Sequence, residues 1–230
     1  MFVEIENLKY KYPTSNELTI KDFSLQMEKG EIVAILGESG SGKSTLLKLI
    51  AGKEKTKVGK IVIDGDVVVD KKTCKSPKKR GIGIVFQEHD LAANKTVEGN
   101  IKRTLPLLMA KNAKEDRVEE MLDLVDLYIF RDRFPKELSG GQQQRVTLAK
   151  ALAPEPSLIL FDDPFRNLDP STQKNLREEL RAILKKAGIT SIFVSNNKAD
   201  AKVLADRVLF MEDGEIKQTC KPEEVYNVNL

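Results

Sequence analysis

The sequence is poor in residues that form disulfides or bind metal ions. Its 230 residues include two cysteines and one histidine. Cys74 and Cys220 lie far apart without a metal-type spacing, so we interpret both as free thiols in a reducing compartment. His89 has no histidine or cysteine companion nearby in the chain, which argues against a metal role. We therefore expect neither a disulfide framework nor a metal centre built from histidine and cysteine.

A strong charge imbalance and long apolar segments are also lacking. The formal net charge is +3, which indicates no particular polyanion, and we expect no nucleic-acid partner. The lysine- and arginine-rich stretch 71–80 has no interleaved aromatic residues, which favours a solvated surface loop over a nucleic-acid patch. We expect no signal peptide, and no apolar run approaches the roughly 20 residues needed to span a bilayer. We therefore expect a soluble, cytoplasmic protein that needs a separate partner for any role at a membrane.

What the chain does contain is 40% hydrophobic residues, enough for a substantial core. Apolar strands of the buried type alternate with helical patterns, which predicts an α/β fold with a mainly parallel sheet. The predicted core strands are 32–36, 82–86, 158–161 and 191–195. Asp64-Gly65 and Asp213-Gly214, each between two apolar runs, predict hairpins.

The chain is expected to form a single domain, 1–230, with two additions to its core. Alternating runs at 3–5 and 8–12, stopped by Pro13, predict an N-terminal antiparallel β-subdomain. Apolar residues at three- and four-residue steps predict an inserted α-helical subdomain at about 88–156. The core and the β-subdomain would then comprise 1–87 and 157–230.

The most specific stretch is GESGSGKST at 37–45. It matches the phosphate-binding pattern G-x-x-x-x-G-K-[ST] at every fixed position, and it stands between a predicted buried strand and a helix. Glycines let the backbone N–H groups approach and cradle a phosphate. A flexible glycine turn is the alternative, but the complete match predicts a P-loop NTPase core that binds a nucleoside triphosphate. The predicted nucleotide-binding residues are Gly37, Glu38, Ser39, Gly40, Ser41, Gly42, Lys43, Ser44 and Thr45.

Within this loop Lys43 is expected to contact the β- and γ-phosphates, and the Ser44 hydroxyl to hold Mg²⁺. Asp162 follows the apolar run 158–161. An acid at the carboxyl end of a buried strand next to the loop strand can hold the metal through its water shell. The sequence therefore predicts a magnesium site formed by Ser44 and Asp162.

A second phosphate-seeking surface is predicted at LSGGQ, 138–142, which opens a helix. Ser139, Gly140, Gly141 and Gln142 would present backbone N–H groups at the positive end of that helix. One chain does not need two such surfaces for one γ-phosphate. The alternative is a plain glycine-containing helix start, but the five-residue match is very specific.

With these motifs the chain resembles the nucleotide-binding subunit of an ATP-binding cassette (ABC) transporter over essentially all 230 residues. In that family two subunits pack head to tail, and each ATP lies between one P-loop and the partner's signature, which 138–142 matches. The resemblance implies ATP and Mg²⁺ as ligands. It also implies a second ABC ATPase subunit, identical or different, and a transmembrane permease as partners. The chain would then lie peripherally on the inner face of the cell membrane.

The resemblance further implies roles for single residues. Tyr12 would stack on adenine, Gln87 would contact Mg²⁺ and the attacking water, and Asp169 would be the acid of the dimer-contact loop. Taken alone, Tyr12 could be a strand aromatic and Gln87 a surface amide. Asp163 stands where the family has its catalytic base, and Asn196 stands where it has the switch histidine.

Three positions depart from the family pattern. Asp163 replaces the usual glutamate and is shorter by about one C–C bond, ~1.5 Å. Asn196 can donate a hydrogen bond to the γ-phosphate but carries no charge. Arg166 replaces a small serine. We therefore expect intact ATP binding with slow hydrolysis.

Two stretches, 77–87 and 222–227, resemble importers of sugars, polyamines, ferric iron and oxyanions. Those subunits usually continue into a regulatory β-domain, and this chain ends where that domain would begin. We thus expect a transport-coupled ATPase for import, with 88–110 contacting the permease. Two alternatives stay open: an ATP-gated clamp with little turnover in a heteromeric complex, and a soluble ABC ATPase outside transport.

Overall fold

The computed structural model describes residues 1–85, 91–166 and 170–228, with residues 170–172 described in their backbone only. The strands are β1 (Val3–Tyr10), β2 (Ile20–Met27), β3 (Ile32–Leu36), β4 (Lys60–Ile63), β5 (Asp66–Val69), β6 (Ile82–Val85), β7 (Leu158–Asp162), β8 (Thr190–Ser195), β9 (Arg207–Glu212) and β10 (Glu215–Cys220). The helices are α1 (Lys43–Ala51), α2 (Val97–Lys102), α3 (Lys111–Leu124), α4 (Gly140–Leu152), α5 (Pro170–Lys186) and α6 (Lys198–Leu204).

The N-terminal sheet is antiparallel, with strand order β2-β1-β4-β5. The predicted run 3–5 and most of the run 8–12 form one strand, β1. The strand is irregular between them: Asn7 adopts a positive φ of 48°, and the register shifts between Ile5 and Leu8. The prediction that the second run reaches Tyr12 is wrong. The Tyr12 carbonyl accepts from Ser15 N at 3.0 Å, so it closes a turn beyond the strand.

The core sheet has the order β10-β9-β3-β8-β7-β6. All neighbours from β9 to β6 are parallel, and only β10 joins antiparallel. The α/β fold with a mainly parallel sheet is therefore confirmed, and so are both hairpins. The prediction that the strand of Asp162 lies next to the loop strand is wrong, because β8 separates β7 from β3. A buried apolar strand carries no local signal for its place in a sheet.

The two faces of the core sheet bury different sets of side chains. Leu158 and Leu160 of β7 point to the side covered by α1 and the antiparallel sheet, whereas Ile159 and Phe161 point to the side of α3 and α4. Successive strand residues alternate between faces, so an all-apolar strand requires cover on both sides. This double cover holds the carboxyl ends of the strands in place.

The helical region packs as its periodicity predicts. The apolar stripe of α3, formed by Val118, Met121 and Leu122, is buried, and so is Val125 just beyond the helix. On α5 the predicted stripe holds for Leu176, Leu180 and Leu184 but not for Ala187, which is exposed. The reason is that α5 ends at Lys186, before the positive-φ Gly188, so the periodicity no longer applies. The proposed subdomain boundaries stay a prediction.

The P-loop helix α1 is anchored at its carboxyl end by Arg80. The guanidinium donates to the Leu49 and Ile50 carbonyls, both at 2.7 Å. Arg80 is only 4% exposed, and its burial lowers its pKa. The stretch 71–80 is thus not wholly the solvated loop that its composition predicts, because helix ends leave carbonyls that need donors. None of the helices in the described part of the chain is both long and apolar enough to cross a membrane.

Candidate functional site

The loop between β3 and α1 has a backbone that only glycine can form at two points. A Cβ at Gly37 would lie 2.1 Å from the Met211 carbonyl oxygen. Gly42 has a φ of 103°, and a Cβ there would lie 2.9 Å from the Thr19 oxygen. The glycines of the motif are therefore required by close backbone contacts from β9 and from the segment before β2. The loop is a packed element and not a flexible turn.

Lys43 begins α1 and lies inside this loop, 6% exposed. Its Nζ donates to the carbonyls of Gly37 and Glu38 at 2.7 Å each. Burial lowers the pKa of Lys43, and the charges of Asp163 and Asp162 act in the opposite direction. The ammonium group is thus held where the loop backbone converges, at the start of a helix that favours anions.

Ser44 and Asp162 meet although β8 separates their strands. The Ser44 hydroxyl donates to Asp162 Oδ1 at 3.0 Å. Burial raises the pKa of Asp162, with a further increase from Asp163, while the Ser44 hydrogen bond lowers it. A hydroxyl and a carboxylate are oxygen ligands of the kind that Mg²⁺ prefers, usually together with waters and phosphate oxygens. The pair therefore fits the predicted magnesium site.

In the part of the chain that the structure describes, no metal site made of protein side chains alone is found. The described residues contain no group of three or more histidines, cysteines, aspartates or glutamates that could hold an ion. Mg²⁺ in nucleotide sites typically uses one or two protein ligands and takes the rest from phosphate and water. The Ser44–Asp162 pair is consistent with that mode of binding.

The Asp162→Asn variant is expected to be more stable than the original chain when no nucleotide is present. Because the folded state binds the Asp162 proton more tightly than the unfolded state, the free energy of unfolding falls as pH rises above 3.8 through the raised pKa. The amide removes this cost and can still accept from Ser44. At pH 7 we expect a higher Tm, with the difference vanishing in acid. Equal or lower Tm at neutral pH, measured by calorimetry, would contradict this interpretation.

A cavity of about 370 Å³ brings several predicted site residues together. It is lined by Thr19, Ser39, Gly40, Gly42, Lys43, Ser44, Thr45, Asp163, Arg166 and Asn196. Asp163 has a φ of 45°, and its N–H donates to the Val194 carbonyl at 2.9 Å. The Asn196 amide donates to Ser39 Oγ at 3.3 Å. The cavity therefore places an acid, an amide and two cations around the phosphate loop.

Tyr12 is tied to the P-loop helix. Its hydroxyl lies 3.1 Å from Thr45 Oγ1, and its ring contacts Tyr10 edge-on with 4.9 Å between ring centroids. Tyr10 in turn donates to Glu54 at 2.8 Å, and burial followed by this hydrogen bond raises its pKa to about 12. Tyr12 is thus not a strand aromatic. Its stacking on adenine stays a prediction.

The signature segment begins α4 as predicted. Ser139 is the N-cap residue: its Oγ accepts from Gln142 N at 3.3 Å, and Gln142 Oε1 accepts from Ser139 N at 2.9 Å. This reciprocal pair is a capping box. Residues 138–142 are not among the described residues that line the P-loop cavity. Two predicted residues, Gln87 and Asp169, lie outside the described residues.

A buried ion pair behind the cavity was missed by sequence reasoning. Arg177 Nε donates to Asp200 Oδ1 at 2.6 Å, and Ser195 Oγ donates to Asp200 Oδ2 at 2.5 Å. Burial raises the pKa of Asp200, while Ser195 and Arg177 lower it. Ser195 also accepts from Asn197 N at 3.0 Å. The pair therefore fixes the backbone on both sides of Asn196.

The same network reaches the loop that carries Asp163. Arg177 Nη2 donates to Gln173 Oε1 at 2.8 Å, and Gln173 Nε2 donates to the Phe165 carbonyl at 2.9 Å. The i, i+4 spacing of Gln173 and Arg177 along α5 was the available signal. It was not interpretable because the partner helix α6 was not predicted.

Comparisons with known proteins agree with these motifs. The family model described as "ABC transporter" matches residues 20–166. The Fe(3+) ions import ATP-binding protein FbpC of Photorhabdus laumondii is 40% identical over 226 residues, covering 98% of this chain and 63% of that protein. The sulfate/thiosulfate import ATP-binding protein CysA of Bacillus cereus is 41% identical over 231 residues, with the same coverages. The chain thus spans about 63% of the length of these two relatives.

A solved structure supports the same assignment. The ATP-binding cassette MJ0796, in a dimeric post-hydrolysis state bound to ADP and Pi, matches with a TM-score of 0.78 and 31% identity. The match covers 96% of this chain and 98% of that one. By the family model, the curated relatives and this structure, the chain belongs to the ABC transporter ATP-binding domain family.

Proposed function

We propose that this chain is the ATP-binding and hydrolysing subunit of an ABC transporter, dimerising around two Mg-ATP to drive a membrane permease. The observation that carries the proposal is that one cavity is lined by the P-loop, Asp163 and Asn196 together. The import function of the FbpC and CysA relatives supports import as the direction. A position on the inner face of the cell membrane follows from a permease partner.

In this proposal the loop amides and Lys43 hold the β- and γ-phosphates, and Tyr12 stacks on the base. Ser44 and Asp162 would hold Mg²⁺, with Gln87 as a further contact. When bound, the ion neutralises charge that develops on the phosphoryl oxygens. The residues named here supply binding and positioning, which dominate catalysis of phosphoryl transfer.

Hydrolysis itself is assigned to Asp163 and Asn196. The Asp163 carboxylate accepts a proton from a water whose oxygen attacks the γ-phosphorus, and the bond to the ADP oxygen breaks. The Asn196 amide donates to the γ-phosphate. The Val194 carbonyl holds the backbone of Asp163, and Ser195, bonded to Asp200, holds the backbone beside Asn196, so both side chains start from anchored backbone.

The partner subunit would complete the site through its segment 138–142. The capped N-terminus of α4 is exposed at Ser139 and Gly140 and half-buried at Gly141, and it offers backbone donors that can face an anion. The dimeric state of MJ0796 bound to ADP and Pi supports a paired arrangement. Asp169 would then belong to the contact between subunits.

The proposal is tested by light scattering with Mg-ATP in the Asp163→Asn background, which suppresses turnover. We expect dimers with ATP and monomers without it. Ser139→Asp should block dimerisation, because aspartate caps the helix as well as serine but repels a triphosphate. ATP binding to that variant's own P-loop should persist. Dimers unaffected by Ser139→Asp would contradict the head-to-tail arrangement.

The ATP-gated clamp remains the second candidate. It is favoured by the short carboxylate at Asp163 and the neutral amide at Asn196, which leave ATP binding intact and weaken hydrolysis. Turnover by the purified chain distinguishes the two functions.

A further inference from the structure

Arg166 is the one charged residue lining the P-loop cavity to which none of the roles above applies. It follows Asp163 by three residues and lines that cavity together with Lys43 and Asn196. It also lines an adjoining cavity of about 410 Å³ that reaches Ser195. The side chain is exposed. Its charge is therefore available to a ligand of the cavity.

The peptide group between Phe165 and Arg166 is held at both its carbonyl and its N–H. Its N–H donates to the Asp163 carbonyl at 3.3 Å, and the preceding Phe165 carbonyl accepts from Gln173 at 2.9 Å. The Phe165 ring is 1% exposed and lies under the Arg177 guanidinium at 5.7 Å. A long cationic side chain thus starts from an anchored point beside Asp163.

The charges around the cavity call for such a cation. Asp162 and Asp163 bring two carboxylates to the reacting end of the site; Lys48 and Lys43 act on Asp162, but of these two lysines only Lys43 is among the described residues that line the cavity. Asn196 adds a hydrogen-bond donor without charge. A triphosphate carries several negative charges, and charge stabilisation at the transferred group is a main source of rate in phosphoryl transfer. Arg166 would provide the missing positive charge.

We propose that Arg166 binds the γ-phosphate of ATP and supplies the charge that the neutral side chain of Asn196 lacks. This inference rests on the proposed function. A guanidinium is always charged and offers several donors in a planar fork that suits phosphate oxygens. The γ-phosphate is absent from ADP, so Arg166 should distinguish the two nucleotides in binding as well as in catalysis.

The test compares Arg166→Gln and Arg166→Lys with the original chain, by equilibrium binding of Mg-ATP and Mg-ADP and by kcat. Arg166→Gln should lower the ATP-over-ADP affinity ratio about tenfold, as expected for loss of one charge-assisted hydrogen bond. ADP affinity should stay unchanged, and kcat should fall at least as much. Arg166→Lys should retain part of both. Arg103→Gln, which removes an exposed arginine at the end of α2, is the matched control and should change neither.

Adding Asn196→His tests whether Arg166 and the side chain at position 196 supply the same charge or act independently. If Arg166 replaces the missing charge, the histidine should rescue kcat in the Arg166→Gln background by a larger factor than it speeds the original chain. If Asn196→His raises kcat by the same factor in both backgrounds, or if Arg166→Gln leaves the ATP-over-ADP affinity ratio unchanged, the proposed role of Arg166 is overturned. The proposed function is not affected by either result. Failure of the original chain to bind ATP would overturn the proposed function and this inference together.

Discussion

Lys43→Ala is expected to lower the affinity of the chain for Mg-ATP by at least about a hundredfold. The ammonium group is held at the convergence of the loop, where hydrogen bonds to charged groups each contribute roughly 1.5–3 kcal/mol. Loss of two such contacts to phosphate oxygens amounts to about 3 kcal/mol or more, and every 1.4 kcal/mol is tenfold. Fluorescence titration with a labelled ATP analogue measures the change.

Two controls make this result specific. Lys55→Ala removes an exposed lysine just beyond α1 and should leave ATP affinity unchanged. The Tm of the nucleotide-free Lys43→Ala variant shows whether the fold tolerates the loss of the hydrogen bonds from Lys43 to the Gly37 and Glu38 carbonyls. If Lys43→Ala unfolds, Lys43 stabilises the loop, and the Lys43→Gln variant then tests its role in phosphate binding. ATP affinity retained by both variants would contradict the assignment of the P-loop.

The second large effect is expected from Asp163→Glu combined with Asn196→His. The pair should raise kcat for ATP hydrolysis on the order of a hundredfold, because a misplacement of about 1 Å can cost that much in rate. The glutamate restores the missing reach, and the histidine can carry a positive charge to the γ-phosphate. Release of phosphate by the purified chain, with ATP affinity measured in parallel, checks the change.

The backbone at Asp163 predicts a small cost of this reversion. A φ of 45° is better tolerated by aspartate than by glutamate. We therefore expect the variant to hydrolyse faster but to melt slightly earlier. Asp64→Glu, at a hairpin position with a φ of 51°, is the matched control for the loss in Tm and should leave kcat unchanged. If the double variant shows no gain in kcat, Asp163 and Asn196 do not limit the rate of ATP hydrolysis, and the ATP-gated clamp is favoured.

The parts of the site that could be predicted are those specified by short stretches of chain. The spacing of Gly37, Gly42 and Lys43 indicated a phosphate loop, and the close contacts at both glycines give its physical basis. The capping box at Ser139 and Gln142 is also local. Strands buried on both faces are continuous apolar runs, which is why the parallel core sheet was predicted correctly.

Strand order and most contacts between distant segments were beyond such reasoning. Asp162 was predicted to lie on a strand next to the loop strand, but β8 pairs between them, and Ser44 reaches Asp162 all the same. The network from Phe165 through Arg177 to Ser195 joins residues of four elements and loops, and none of them belongs to a recognisable motif. Arg80 looked like one more residue of a basic surface loop until its carbonyl partners at the end of α1 were seen.

The order of residues along the chain was therefore enough for the fold class, the phosphate loop and the family, because each depends on interactions within a few residues or on the periodicity of burial. The folded structure alone decided that β8 lies between β3 and β7, how the backbone at Asp163 and Asn196 is held, and that Arg166 shares their cavity. Those contacts depend on strand order and on helix packing, which are set by the burial of the whole core and leave no local trace in the sequence.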